Sequence, residues 1–223
     1  MIPAPAAART RLDLAAIEAT LRGAQEALAR LAETEGELRD HMDQEVVDNM
    51  LAGYAYLDAL HARGVDPLAR GYVEELLELN RLVLCGTDSG HRARYSEHLA
   101  ASEARFYEQP GIGDLVETLA LERPESHWER AAVAYLRLSA QPQLFLEGNH
   151  RTGVLVIGAI LLEAGEPPFV LSADNAEAFF AASAEFRGLE KNSLRSLFRE
   201  PALRREFAEF LYSQRRQEYL SHD

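Results

Sequence analysis

From Leu14 to Leu38 apolar residues return every three or four positions, at Leu14, Ile17, Leu21, Ala24, Leu28, Leu31 and Leu38. That spacing predicts a helix with a single apolar stripe. Its other faces carry arginine and glutamate, so the stripe must pack on the next helix, on the rest of the domain or on a second copy of the chain. Glu35, Gly36 and Glu37 interrupt the pattern, and a second amphipathic stretch runs through Val46, Val47, Met50, Leu51, Tyr54, Leu57 and Leu60 until Gly64 and Pro67 stop it. A third, from Leu68 to Leu84, becomes apolar on more sides toward its end, which predicts growing burial before a loop at Gly86-Thr87-Asp88-Ser89-Gly90. Between Gly90 and Gly113 the pattern is weakest. His91, Arg92, Arg94, His98, Arg105, Phe106 and Tyr107 lie in a stretch that fits short strands, a short helix or an ordered loop. Helical spacing returns from Asp114 to Leu121 and from Trp128 to Leu138, the latter opening after Pro124-Glu125-Ser126. Val154 to Leu162 is apolar on every side, which predicts a buried central rod ended by Gly165 and Pro167-Pro168. Ser172-Ala173-Asp174-Asn175 then reads as a cap for a helix from Ala176 to Phe186, and a last helical region spans Ser193 to Tyr219 with a break at Pro201. The pattern predicts an all-α fold in one compact unit: a helical arm in residues 1–44 and a domain in residues 45–223 built around the central helix.

Immediately before that rod stands Phe145-Leu146-Glu147-Gly148-Asn149-His150-Arg151-Thr152-Gly153, a loop that tips straight into the helix. Glycine and asparagine tolerate the backbone angles of a tight turn, and the first N–H groups of a helix have no partner inside it. Free amides, the positive end of the helix dipole and an arginine in the first turn together favour a phosphate at Gly148, Asn149, His150, Arg151 and Thr152. Glu147, one step before the glycine, is placed to hold a magnesium ion against that phosphate.

Phe-x-Glu-Gly-Asn-x-Arg-Thr resembles the core motif of Fic domains, which in most members runs His-x-Phe-x-(Asp/Glu)-Gly-Asn-(Gly/Lys)-Arg-x-x-Arg. The resemblance covers roughly Glu45 to Tyr212. It implies a mostly helical fold that binds ATP or a related nucleotide with Mg2+ and transfers AMP to a hydroxyl of a target protein. It also implies a small β-hairpin flap ahead of the motif, which no strand alternation in residues 90–113 supports. Two positions depart from the pattern. Gln143 stands where the family has its catalytic histidine, and Val154 where many members carry a second arginine. An amide side chain does not titrate in water, so Gln143 can orient a group but cannot take its proton. His150, where members usually have Gly or Lys, is the candidate substitute base, with plain exposure at the helix start as the bland alternative. Many relatives are restrained by a glutamate in a Ser/Thr-x-x-x-Glu-Gly/Asn helix. Thr118 to Glu122 and Ser196 to Glu200 begin that pattern, but Arg123 and Pro201 follow, so neither completes it.

Charge narrows the partners. Lys and Arg number 23 against 36 Asp and Glu, a formal net charge of −13, and no basic stripe relieves it. Nucleic-acid phosphates are repelled by such a surface. The longest apolar run, Val154 to Leu162, is too short to span a bilayer, and residues 1–9 lack a signal layout, so a cytoplasmic protein without membrane attachment is expected. Cys85 is the single cysteine, which excludes an internal disulfide or a thiolate zinc cluster. Three functions remain: a nucleotide-binding protein deficient in ordinary AMP transfer that acts through a target or partner protein or as a homodimer, an AMPylating transferase with altered chemistry, and a non-catalytic helical scaffold in which the motif loop is structural. For Arg151 and Glu147 the bland alternatives are a surface ion pair and a carboxylate stabilised by the helix dipole alone.

Overall fold

In the computed structural model, which describes residues 10–35, 42–108, 110–121, 124–191 and 193–221 (without the side chains of residues 30–35 and 194–196), the stretches with three- and four-residue apolar spacing are helices. They are α1 (Leu14–Glu35), α2 (Gln44–Ala62), α3 (Val73–Cys85), α4 (Ser89–Arg94), α5 (Ser96–Tyr107), α6 (Ile112–Leu121), α7 (His127–Ser139), α8 (Asn149–Glu163), α9 (Ala176–Arg187) and α10 (Leu194–Ser213), followed by a single 3-10 turn at Gln217–Tyr219. The fold is all-α: among the described residues there is no strand, only isolated bridges joining Leu12 to Leu220 and Gln141 to Glu190. Expectations that concern residues 1–9, Gly36, Glu37, Leu38, Glu122 and Arg123, or the side chains of Leu31 and Ser196, lie outside the described residues.

The central rod is α8. Val154, Leu155, Val156, Ile157, Ile160, Leu161 and Leu162 are all buried, as expected of a helix apolar on every side. It lies against α2, α3 and α7, with α1 on the outer side of α2 and α10 on the outer side of α7. Small residues let it approach closely. A Cβ on Gly153 would stand 2.5 Å from Cδ2 of Tyr135 on α7. The C-terminus closes as the sequence predicts. Gly165 is left-handed at φ 76°, and Glu166 N–H donates to Leu161 O at 2.9 Å while Gly165 N–H donates to Leu162 O at 3.0 Å. These two bonds form a Schellman cap.

The stripe of α1 is covered within the chain: Ile17, Leu21, Ala24 and Leu28 are buried, and the helix packs on α2. Both ends of the chain's described part hold it there. Asp13 N–H donates to Tyr219 O and Ser221 N–H to Arg11 O. Asp58 on α2 accepts from Arg11 Nε at 3.0 Å and from Leu12 N–H at 2.9 Å. Burial alone would raise the Asp58 pKa, but the Arg11 guanidinium and the Leu12 amide outweigh it and hold the carboxyl below its ordinary value.

Four boundaries differ from expectation. The third helix begins at Val73 rather than Leu68, because Asp66 accepts from Leu68 N–H in a turn and Gly71 sits at φ 92°. The loop after Gly86 is short, since Asp88 caps α4 by accepting from His91 N–H. Residues 89–107 then form α4 and α5, so helices occupy the place of the hairpin flap that the resemblance implies. Few buried apolar positions mark them in the sequence: α4 buries no residue and α5 only Ser102 and Phe106. Lastly, α10 continues through Pro201 to Ser213, with Leu203, Phe207, Ala208 and Leu211 buried beyond the proline. That burial sustains the helix across the lost hydrogen bond.

Candidate functional site at the start of the central helix

Between α7 and α8 the chain is fixed by its own backbone and by Asn149. Gln141 N–H donates to Leu189 O and Gln141 O accepts from Lys191 N–H, each at 2.8 Å. Phe145 is buried and stacks on Phe106 of α5 with ring centroids 5.3 Å apart. Asn149 Oδ1 accepts from Phe145 N–H and its Nδ2 donates to Phe145 O, both at 2.9 Å. One amide side chain thereby satisfies both backbone groups of Phe145 and ties Leu146, Glu147 and Gly148 into a tight loop. Gly148 adopts φ 77°, the left-handed conformation the sequence predicts for the helix start. A Cβ there would also stand 3.0 Å from Asn80 Nδ2 and 3.2 Å from Val83.

Asn80 of α3 locks the other side. Its Nδ2 donates to Glu147 O and to Thr152 Oγ1, both at 3.0 Å, and its Oδ1 accepts from Ser102. The loop so held borders a cavity of about 520 Å3, within the usual range for small-molecule sites. Gln143, Glu147, Gly148, Asn149, His150 and Arg151 line it. Thr152 does not: its side chain is fully buried, its hydroxyl engages Asn80, and its N–H makes the first bond of the helix, to Gly148 O at 2.8 Å. Of the six loop positions from Glu147 to Thr152, Thr152 therefore serves the scaffold.

Arg151 bridges α8 to α3. Its Nη1 donates to Val83 O at 2.7 Å, near the electronegative end of α3, and its Nη2 lies 3.9 Å from Glu147. Arg151 lines the cavity together with Gly148, Asn149 and His150. Glu147 is half exposed and also lies at ion-pair distance, 3.4 Å, from His98 of α5. Among the described residues no group of three or more histidines, cysteines or carboxylates is arranged to hold a metal. A single exposed carboxylate such as Glu147 supplies too few oxygen ligands to cage a resident ion, and fits only an ion that brings most of its own ligands.

Gln143 is held at its backbone, where its carbonyl accepts from Arg105 Nη2 at 2.9 Å. Its Oε1 stands 3.5 Å from Asn149 Nδ2, the outer limit of a hydrogen bond. Gln143 therefore lines the cavity with its side-chain amide only weakly held. His150 is better connected than simple exposure would require. Its Nδ1 is 2.7 Å from the hydroxyl of Tyr135, which is itself 2.6 Å from Ser183 Oγ of α9. Two buried hydroxyls thus stand behind an imidazole at the cavity wall. The Tyr135 ring is fixed among Phe179, Phe186 and Phe207.

Beneath the loop, the Lys191 side chain is 2% exposed and lies 3.8 Å from Asp114. Its pKa is lowered to about 8, chiefly by burial, with Asp114 opposing the shift.

Sequence reasoning missed Asn80, Arg105, Tyr135 and Ser183. Asn80 had a signal, a lone amide among Leu76, Leu77, Leu79, Leu82, Val83 and Leu84. Tyr135 counted only as part of an apolar face, and Ser183 carries no signal of its own. No protein-family profile and no curated protein matches the chain.

Proposed function

We propose that the protein binds a nucleotide through its phosphate at the loop Glu147 to Arg151 and is deficient in ordinary AMP transfer to protein hydroxyls. The observation that carries this reading is the cavity of about 520 Å3 at the start of α8, lined by Asn149, His150 and Arg151 next to a left-handed Gly148. Such an arrangement supplies charge-assisted donors to a phosphate without any movement of the backbone. Asn149 and Asn80 hold the loop in shape, and Arg151 is oriented by Val83 O. Glu147 would hold the magnesium ion of a nucleotide, which when bound neutralises phosphate charge. Gln143 orients a group by hydrogen bonding but leaves an attacking hydroxyl without a base.

A second reading, transfer with altered chemistry, rests on His150. Its imidazole lines the cavity with Tyr135 and Ser183 behind it, the placement a relocated base requires.

Calorimetry with ATP, ADP and AMP, with and without magnesium, tests the proposal. Binding is expected, and Arg151→Ala should weaken it by about 10–100-fold, the scale of a hydrogen bond to a charged group. Absence of heat for every nucleotide at millimolar concentration would leave the helical scaffold as the function. Robust AMP transfer by the unaltered protein that vanishes in His150→Ala, with affinity kept, would establish the second reading.

A further inference from the structure

Two guanidinium groups line the cavity at the motif loop, and they come from different helices: Arg151 from the first turn of α8 and Arg187 from the last turn of α9. Their situations differ. Arg151 is partly engaged, donating to Val83 O and lying 3.9 Å from Glu147. Arg187 is exposed and makes no hydrogen bond or ion pair among the described residues. The helix dipole favours a cation in the last turn of α9. It does not account for one left without a carboxylate in a chain where 36 acidic residues face 23 basic ones. Glu185, the nearest carboxylate in sequence, is instead paired with Arg199 of α10 at 2.9 Å.

The scaffold fixes where Arg187 stands. Four residues before it, Ser183 Oγ meets the Tyr135 hydroxyl, which meets His150 Nδ1 at the cavity wall. Two residues after it, Leu189 O accepts from Gln141 N–H, close in the chain to Gln143 of the same wall. Residues four apart share a side of a helix, so Arg187 continues the side of α9 that Ser183 turns toward His150. Among the described lining residues Glu147 is the lone carboxylate, and it already lies 3.4 Å from His98 and 3.9 Å from Arg151. The lining is thus cationic in excess within an acidic chain, which concentrates anions there. One phosphate at Arg151 leaves the guanidinium on α9 unmatched; a second anionic group on the same ligand matches it with a charge-assisted contact.

We infer that Arg187 is a specificity-determining residue of this cavity: it takes a second phosphate of the ligand while the first sits at Arg151, so the site selects organic ligands with two phosphate groups over those with one. This rests on the phosphate-binding reading of the loop and deepens it. The carbon skeleton has its own wall, since Val154 and, from α1, Leu21 and Leu28 line the same space, where apolar surface gains by leaving water. Two arrangements share the chemistry, a diphosphate chain and two phosphates on separate carbons of one molecule.

Calorimetry on the full chain with inorganic phosphate, AMP, ADP and adenosine 3′,5′-bisphosphate, each with and without magnesium and the tighter value taken, reads this preference. The better of the two ligands with two phosphates is expected to bind at least about tenfold more tightly than AMP, the scale of one hydrogen bond to a charged group. Which of them binds better identifies the arrangement. Arg187→Gln should abolish the preference. Arg205→Gln on α10, which removes the same charge outside the cavity lining, should leave it intact. A preference smaller than this in the parent, one that survives in Arg187→Gln, or one lost equally in Arg205→Gln would overturn the inference while leaving the phosphate site standing. Silence from all four probes, with helical content and unfolding cooperativity normal, would overturn the inference and the phosphate-binding reading together.

Discussion

Gly153→Ala adds one methyl group at the contact between α8 and α7, and its cost can be worked from the geometry. The new Cβ would stand 2.5 Å from Tyr135 Cδ2 and 2.6 Å from Cε2, so ring and helix must separate by about 1 Å to reach ordinary contact. The ring cannot swing aside. Phe179, Phe186 and Phe207 surround it, and its hydroxyl bonds both His150 and Ser183. Overpacking of this kind costs about 1–3 kcal/mol. Alanine returns about 1 kcal/mol in helix propensity, and loss of a buried Tyr135 hydrogen bond costs about 1 kcal/mol more. The expected net loss is about 2 kcal/mol, or about 4–8 °C in Tm for a chain of this size. Gly53→Ala is the control, because the Cβ there meets Leu155 Cδ1 at 2.4 Å, the end of a side chain that can change rotamer. Urea unfolding of both variants measures the difference. Gly153→Ala as stable as the parent, or less affected than Gly53→Ala, would refute the rigid contact between α7 and α8.

Gln143→His puts an imidazole in the cavity wall, and AMP transfer from labelled ATP to a protein hydroxyl should rise by about 10²–10⁴-fold if the base is all that is missing; the double variant with Val154→Arg distinguishes a missing base from a missing phosphate contact. Lys191 is protonated less readily in the folded state, at about 8 against an ordinary 10.5, so the unfolded chain binds more protons between those values and stability rises with pH across that window. Lys191→Met should remove this rise in urea unfolding measured at pH 7.5, 8.5 and 9.5, and an unchanged slope would refute it. Asp58 has the opposite sign: with a depressed pKa its stabilisation is present above the ordinary carboxylate range and lost as pH falls below it. Asp58→Asn should therefore cost about 1–3 kcal/mol at pH 6 and much less at pH 3, read as a gap between the two unfolding curves that closes on acidification.

The sequence carried most of this fold because helices with one apolar face announce themselves by spacing. Most of the residues their patterns nominate are buried in α1, α2, α7 and α8, with Leu14, Val46 and Leu51 half-buried, and α8 ends at the glycine that its pattern predicts. Where that signal failed, the physics was not local. α4 and α5 bury too little to impose a period, and α10 crosses Pro201 because tertiary contacts beyond the proline sustain it. Of the motif loop, the left-handed turn at Gly148 was legible in the sequence. Its support was not: Asn80 lies 67 residues before the carbonyl it holds and Ser183 lies 48 residues after the tyrosine it meets, separations that no pattern spans. Thr152 illustrates the converse, a motif residue whose hydroxyl faces Asn80 rather than the cavity.

The clasp between the two ends of the described chain has a consequence for the order of assembly. During synthesis α1 emerges first and meets α2 early, yet Leu220, Tyr219 and Ser221, which pair with Leu12, Asp13 and Arg11, are made just over two hundred residues after those partners. Domains tend to fold as units once their parts are available. The loop, the start of α8 and Arg151 can thus be in place on the ribosome while Leu21 and Leu28 still lack the anchor that keeps α1 seated. The α1 side of the cavity is the last part to be secured, so a nascent chain stalled before residue 219 should leave the cavity open along Leu21 and Leu28.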